Sequence, residues 1–309
     1  MVNKSKIVLT LLLALVMVMT TACTDSGDLK SPVNVNGGSG VTSGAEVTDG
    51  NNDGKATNAA DIDVTIAETV LYDVDGIVIT ATGYEDGWMG PEIKFLIENN
   101  STKNVLISTE SVSVNGYMMP YAGLYAEVAA GKKAKESLSI MSSELEQSGI
   151  ETVAEMQFYF DISDAETWET LKTSDLIALN TSAAGLEQPV DDSGDVLYDS
   201  DGIKIICKGL KKDIVWDGTI VFYMENNSNA PITVFAENVS VNGFMVDTGL
   251  WSDLREGTKI VDGMSLLDLS DLELESIDEV KNIEFNFQII NSETWDEIVT
   301  TDAITLNFE

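Results

Sequence analysis

Along most of the chain apolar and polar residues alternate with a period of two, the spacing of a half-buried β-strand. Ile203, Ile205 and Cys207 alternate with Lys204, Ile206 and Lys208, as Ile77, Ile79 and Ala81 alternate with Val78, Thr80 and Thr82. Further strands are predicted at Ile93-Lys94-Phe95-Leu96-Ile97-Glu98 and at Ile220-Val221-Phe222-Tyr223-Met224-Glu225. Val112-Ser113-Val114 and Tyr117-Met118 flank Asn115-Gly116, a pair suited to the type I′ turn of a β-hairpin. Phe158 and Phe160 fall on one face of a late core strand, and Ile304 to Leu306 reads as a closing strand. One short helix is predicted at residues 143–147, with a Ser at its start and Gly149 at its end as caps. Its counterpart at 271–275 lacks the Gly.

The pattern occurs twice. Val70-Leu71-Tyr72-Asp73-Val74-Asp75-Gly76-Ile77 returns as Val196-Leu197-Tyr198-Asp199-Ser200-Asp201-Gly202-Ile203. Glu98-Asn99-Asn100-Ser101 returns as Glu225-Asn226-Asn227-Ser228 after one inserted residue, and Val112-Ser113-Val114-Asn115-Gly116 as Val239-Ser240-Val241-Asn242-Gly243. Glu166-Thr167-Trp168 matches Glu293-Thr294-Trp295, in a register that reads as constant from the insertion onward. A repeat this long is a whole domain rather than a solenoid unit. The expected fold is all-β: two tandem antiparallel β-sandwiches of immunoglobulin-like architecture at 61–180 and 195–309, each with at most one short helix, joined by a linker at 181–194. The Leu-Tyr-Asp-x-Asp-Gly-Ile, Glu-Asn-Asn-Ser and Val-Ser-Val-Asn-Gly blocks resemble uncharacterised repeat modules of Gram-positive, clostridial-type surface lipoproteins. That resemblance implies a sandwich fold and a surface location, and no activity.

The N-terminus departs from the alternation. Lys4 and Lys6 precede a continuous apolar run at 7–19, short for a membrane span but suited to a secretory signal. The run closes on Thr20-Thr21-Ala22-Cys23, which resembles the lipobox of bacterial lipoproteins, with Thr20 where the family usually carries an aliphatic residue. The resemblance implies that residues 1–22 are removed and that Cys23 is acylated (palmitate among the chains), anchoring the protein on the extracytoplasmic face of the membrane. Residues 24–60, rich in Gly, Ser, Asn, Thr and Asp, read as a flexible tether with Cys23 at its head. A random coil of that length reaches about 30–36 Å.

Composition narrows the chemistry. Among 309 residues, 17 Lys+Arg stand against 52 Asp+Glu, a formal charge of −35, which excludes nucleic acid as a plausible partner. The absence of His removes imidazole-based triads and the usual zinc sites. Cys207 falls on the apolar face of its strand and is expected as a buried, unpaired thiol.

Three polar or aromatic features remain. The duplicated Asp-x-Asp-Gly (Asp73, Asp75, Asp199, Asp201) either starts a Ca2+ loop or forms β-turns in which Gly takes positive φ; the turn is the favoured reading. Asp49-Gly50-Asn51-Asn52-Asp53-Gly54 imitates the opening of an EF-hand, yet its twelfth position is Ala60, so linker composition explains it. Trp168 and Trp295 recur and are expected in a core or corner role, whereas Trp251, in a loop that differs between the copies, is the candidate for a partner contact. The expected function is a non-catalytic, membrane-anchored lipoprotein offering two sandwich modules to an unknown extracellular protein or envelope partner. A calcium-binding or calcium-stabilised module is the alternative, and a carboxylate-dependent hydrolase a remote one. No cofactor other than Ca2+ is expected.

Overall fold

The structure, a computed structural model, describes residues 29–37 and 63–309 apart from 213–217, 267–271, 273, 275 and 309. Residues 1–22, read above as a signal, Cys23 and the Asp49–Gly54 imitation of a calcium loop lie outside the described residues. A short strand, β1 (Asn34–Asn36), precedes the first module. Module 1 comprises β2 (Thr69–Val74), β3 (Ile77–Asp86), β4 (Pro91–Asn99), β5 (Val105–Val114), β6 (Tyr117–Met118), β7 (Tyr125–Val128), β8 (Lys132–Ser139), helix α1 (Ser142–Gln147), β9 (Glu155–Asp164), β10 (Thr170–Thr173) and β11 (Ile177–Asn180). Module 2 comprises β12 (Asp195–Ser200), β13 (Ile203–Lys211), β14 (Gly218–Asn226), β15 (Ile232–Val241), β16 (Phe244–Met245), β17 (Thr248–Gly249), β18 (Trp251–Leu254), β19 (Thr258–Leu266), a 3-10 turn (Ile277–Glu279), β20 (Asn282–Asn291), β21 (Glu297–Thr300) and β22 (Ile304–Asn307).

Each module is an antiparallel β-sandwich. In module 1 the sheet β2-β3-β4-β8 faces a second sheet built on β5 and β9. In module 2 β12-β13-β14-β19 faces β22-β20-β15-β16. The alternating positions close the cores: Phe95 meets Phe158 and Phe160 edge-to-face, and Phe222 meets Phe285 and Phe287 in the same way. Cys207 is buried and free, and burial pushes its thiol up to about 12.

The repeated motifs are structural fastenings. Asn99 and Asn226 are wholly buried; each amide donates to two carbonyls, and its oxygen accepts from the Ser two residues on. Asn115-Gly116 and Asn242-Gly243 take positive φ at both positions, as a type I′ turn requires. The Asn115 side chain then accepts from the N–H groups of Ala154 and Glu155.

Three details differ from the sequence reading. Helix α1 ends, as expected, at Gly149 with positive φ, but its N-cap is Met141, which makes no side-chain cap. In module 2 a 3-10 turn is formed at Ile277–Glu279, and most of the counterpart expected at 271–275 lies outside the described residues. The register is not constant: β4 pairs Asn99 with Lys132 and β14 pairs Asn226 with Thr258, so β7-β8 and β18-β19 correspond at one residue less than their neighbours. Trp251 therefore has a counterpart in Tyr125, each lying opposite the same position of its partner strand. Finally, part of the segment read as tether is ordered. Asn34–Asn36 add to the β22 edge of module 2, and Lys30 exchanges backbone hydrogen bonds with Leu210. An edge strand offers unpaired N–H and C=O groups, and Val35, packed against the module 2 core, supplies the apolar contact.

The two modules share one sheet. At the tip of the Asn115-Gly116 hairpin β6 runs parallel to β19, and Lys259 donates its N–H to the Gly116 carbonyl at 2.9 Å. Tyr117 and Met118 are buried there; Met118 packs into the module 2 core, while Ile206, Tyr223 and Val261 pack into that of module 1. Arg255, itself buried, donates to Ser113 Oγ at 2.7 Å, to Gln157 Oε1 at 3.3 Å and to the Ser111 carbonyl at 3.3 Å. Arg255→Ala removes a charge-assisted clamp and leaves the buried Ser113 hydroxyl without this partner, a loss of about 2–4 kcal/mol. Calorimetry is expected to show one unfolding transition for the wild type and two for the variant.

Two acids sit at the same joint. Asp262 on β19 accepts from Ser252 Oγ at 2.6 Å, and Glu144 on α1 accepts the Tyr121 N–H at 2.9 Å. Among the described residues, Glu144 Oε2 is the buried side-chain oxygen left without a hydrogen bond. Burial raises both carboxyls above the usual range, and Asp262 adds to the shift of Glu144. An acid whose folded pKa is raised penalises folding when ionised, so this penalty is relieved as pH falls through the folded pKa. Asp191, held down to about 2 by Lys208 and Ser193, acts oppositely and loses its contribution below the ordinary Asp range. The melting temperature is expected to rise as pH falls from neutral toward the ordinary carboxylate range, where the raised acids protonate, and to fall again below that range as Asp191 loses its charge. Glu144→Gln with Asp262→Asn should flatten the first limb and leave the second.

Candidate functional site

An aromatic cleft of about 210 Å³ opens beside the joint, walled by Trp251, Trp295, Asp253 and Arg255 from module 2 and by Ser111 and Met118 from module 1. Alternation along β18 buries Ser252 and Leu254 and turns Trp251 and Asp253 outward. Trp251 lies opposite Phe235 of β15, and their rings meet edge-on at 4.9 Å between centroids. Trp295 approaches from the β20–β21 corner, 6.3 Å from Trp251 and at 77° to it. The polar floor is fixed: Asp253 accepts from Trp251 Nε1 at 3.1 Å and from Thr233 Oγ1 at 2.5 Å, and Thr233 in turn contacts Ser292 Oγ at 3.0 Å.

The recurrent tryptophans are at corners but not in cores. Trp168 and Trp295 are 51% and 63% exposed and take φ of 62° and 64°. The cause is local. Asn291 Oδ1 accepts the N–H groups of Glu293 and Thr294, and the Trp295 N–H closes the turn on the Asn291 carbonyl. That geometry forces the fourth residue into the left-handed region, which costs an L-residue roughly 1–2 kcal/mol and points its side chain away from the sandwich. Asp164 builds the same corner around Trp168, and Lys103 holds the Asp164 carboxylate at 2.8 Å and lowers its pKa. Trp251 is 58% exposed. Three exposed or half-exposed aromatic rings in one patch are unusual on a surface with no partner.

Module 1 carries only part of this site. The positions of Phe235, Trp251, Asp253 and Arg255 hold Ser108, Tyr125, Glu127 and Ala129. The complete cleft thus belongs to module 2, with module 1 adding one wall. Trp295 was legible in sequence as a repeated residue, but nothing there showed that its corner opens outward. Trp88 lies on a separate exposed loop, and Trp216 lies outside the described residues.

The Asp-x-Asp-Gly blocks occupy hairpin turns. Asp75-Gly76 and Asp201-Gly202 take positive φ at both positions, the type I′ signature, between β2 and β3 and between β12 and β13. Asp73, Asp75, Asp199 and Asp201 are exposed, and no group of three or more metal-binding side chains comes together among the described residues.

Trp295→Gly replaces a strained residue by one free to take positive φ, so its stability should stay within about 1 kcal/mol of wild type. A fall of more than twice that would show that the ring packs as part of the fold. The chain matches no protein-family model and no curated protein, which leaves the geometry of this cleft to carry the functional assignment.

Proposed function

We propose that the protein is a non-catalytic, lipid-anchored binding protein of the extracytoplasmic face, and that the Trp251–Trp295 cleft is its binding site. The observation that carries this reading is the exposed aromatic pair over a floor of Asp253, Thr233 and Ser292. Tryptophan rings stack on the C–H faces of a pyranose, and a fixed carboxylate with two hydroxyls matches its hydroxyl groups. The net charge of −35 disfavours anionic polymers, so a neutral envelope glycan fits best.

The ordered N-terminal segment gives this reading an orientation. Among the described residues no helix is long and apolar enough to cross a membrane, and the anchor in this proposal is acylated Cys23. Leu29 lies six residues beyond Cys23, a reach of at most about 22 Å even when fully extended. Because that segment docks on module 2, the C-terminal module is the one tied to the bilayer surface.

Two measurements test the proposal. Titration of the full chain with neutral oligosaccharides released from a bacterial envelope should change tryptophan fluorescence, and Trp251→Ala with Trp295→Gly should weaken binding at least tenfold. An unchanged titration in that double variant would remove the cleft from the site. Labelling of cells with an alkyne palmitate analogue should mark the wild-type protein and not Cys23→Ser.

A further inference from the structure

Each half of the joint between the modules recurs without a partner: the hairpin on module 2 and the covering strand on module 1. In module 1 the residues after the Asn-Gly turn, Tyr117 and Met118, are 2% and 7% exposed because β19 covers them. Module 2 repeats that hairpin, Asn242-Gly243 followed by β16, with the same pairing to its own sheet. There the equivalent residues, Phe244 and Met245, are 62% and 67% exposed. The donor edge is therefore presented without a covering strand.

The matching acceptor is β8 of module 1. By strand register β8 is the counterpart of β19, and it is the outer strand of its sheet. Where β19 offers Thr258, Lys259 and Val261, β8 offers Lys132, Lys133 and Lys135, all exposed. Lys133 pairs with Glu98; Lys132 and Lys135 have no ion pair among the described residues. The donor edge is charged in the opposite sense. Glu284 replaces Gln157, the residue that Arg255 grips in the internal joint, and Glu237, Asp247 and Asp278 are exposed nearby, with Lys281 as a cation. Three lysines within four residues are concentrated on one edge of a chain that has only 17 basic residues.

We propose that β16 of one copy docks on β8 of a second copy, repeating between molecules the joint that β6 and β19 make within one. Phe244 and Met245 take the places of Tyr117 and Met118, and the acidic donor rim faces the lysines in place of the Arg255 clamp. The two surfaces are different and lie on different modules, so the contact is heterologous and adds copies head to tail. Lysines on an edge strand also deter indiscriminate pairing, which here selects an acidic edge over an apolar one.

The test uses the full chain in detergent, followed by sedimentation equilibrium. Wild type is expected to form a concentration-dependent ladder of dimers and trimers that weakens with added salt. Phe244→Asp with Met245→Asp removes the donor, and Lys135→Glu reverses the acceptor; each should weaken association at least tenfold. Mixing these two variants should restore dimers and stop there, because only one intact donor and one intact acceptor remain. All substituted positions are exposed, and melting curves check that folding is unchanged. A wild-type chain that stays monomeric at the highest soluble concentration overturns the proposal. So does a ladder unaffected by either variant, which would place association in the lipid anchor, or a mixture that fails to dimerise.

Discussion

The architecture turns on the burial of one hairpin tip. Tyr117 and Met118 leave the sheet of module 1 and are covered by β19 of module 2, while Arg255 crosses in the other direction to the buried Ser113 and the half-buried Gln157. A guanidinium out of water must have its donors met, and this one is met by acceptors from the other module. Gln147 of α1 reinforces the contact by donating to the Val261 carbonyl. Two sandwiches that could each fold around its own core are thereby locked into one body with a continuous sheet. The aromatic cleft owes its second wall to that lock, since Ser111 and Met118 come from module 1.

Duplication explains why the same local chemistry appears twice with different consequences. The Asn-Gly hairpins, the buried Asn99 and Asn226 and the Trp168 and Trp295 corners are solutions to backbone problems, and both modules need them. What differs is what lies outside the core. Phe235, Trp251 and Arg255 stand where module 1 has Ser108, Tyr125 and Ala129, so one copy became the aromatic face and the source of the clamp. Lys135 stands where Val261 lies, so the corresponding edge of the other copy stayed in solvent. Divergence is concentrated on faces that meet a second body, as expected when cores are constrained by packing and surfaces are not.

The N-terminal strand alters which module the N-terminal segment adjoins. Reading the chain in sequence places module 1 next to that segment. Backbone pairing of Asn34–Asn36 with β22, and of Lys30 with Leu210, ties the start of the chain to module 2 instead. Gly37 shows how closely the strand is seated: with φ of 94°, a Cβ there would meet the Ala303 carbonyl oxygen.

Much of the fold was legible because its signals are local. Alternation, Asn-Gly and Asp-Gly pairs and the long repeat specify strands, turns and two modules through the pleat and through φ preferences that each residue carries. Cys207 was readable as a buried thiol for the same reason, by the face it occupies. The exceptions in the pattern were the informative part: Ile206, Tyr223 and Val261 are apolar on faces that alternation assigns to solvent, and they are the residues that bury the joint. The sequence marks them as anomalies but cannot say which body covers them. That was decided only when the β6 tip met β19, because contacts between residues more than a hundred positions apart depend on how sheets stack and not on local preference. The same holds for the cleft, where Trp251, Trp295 and Arg255 share a surface only after β18, the β20–β21 corner and the joint are assembled.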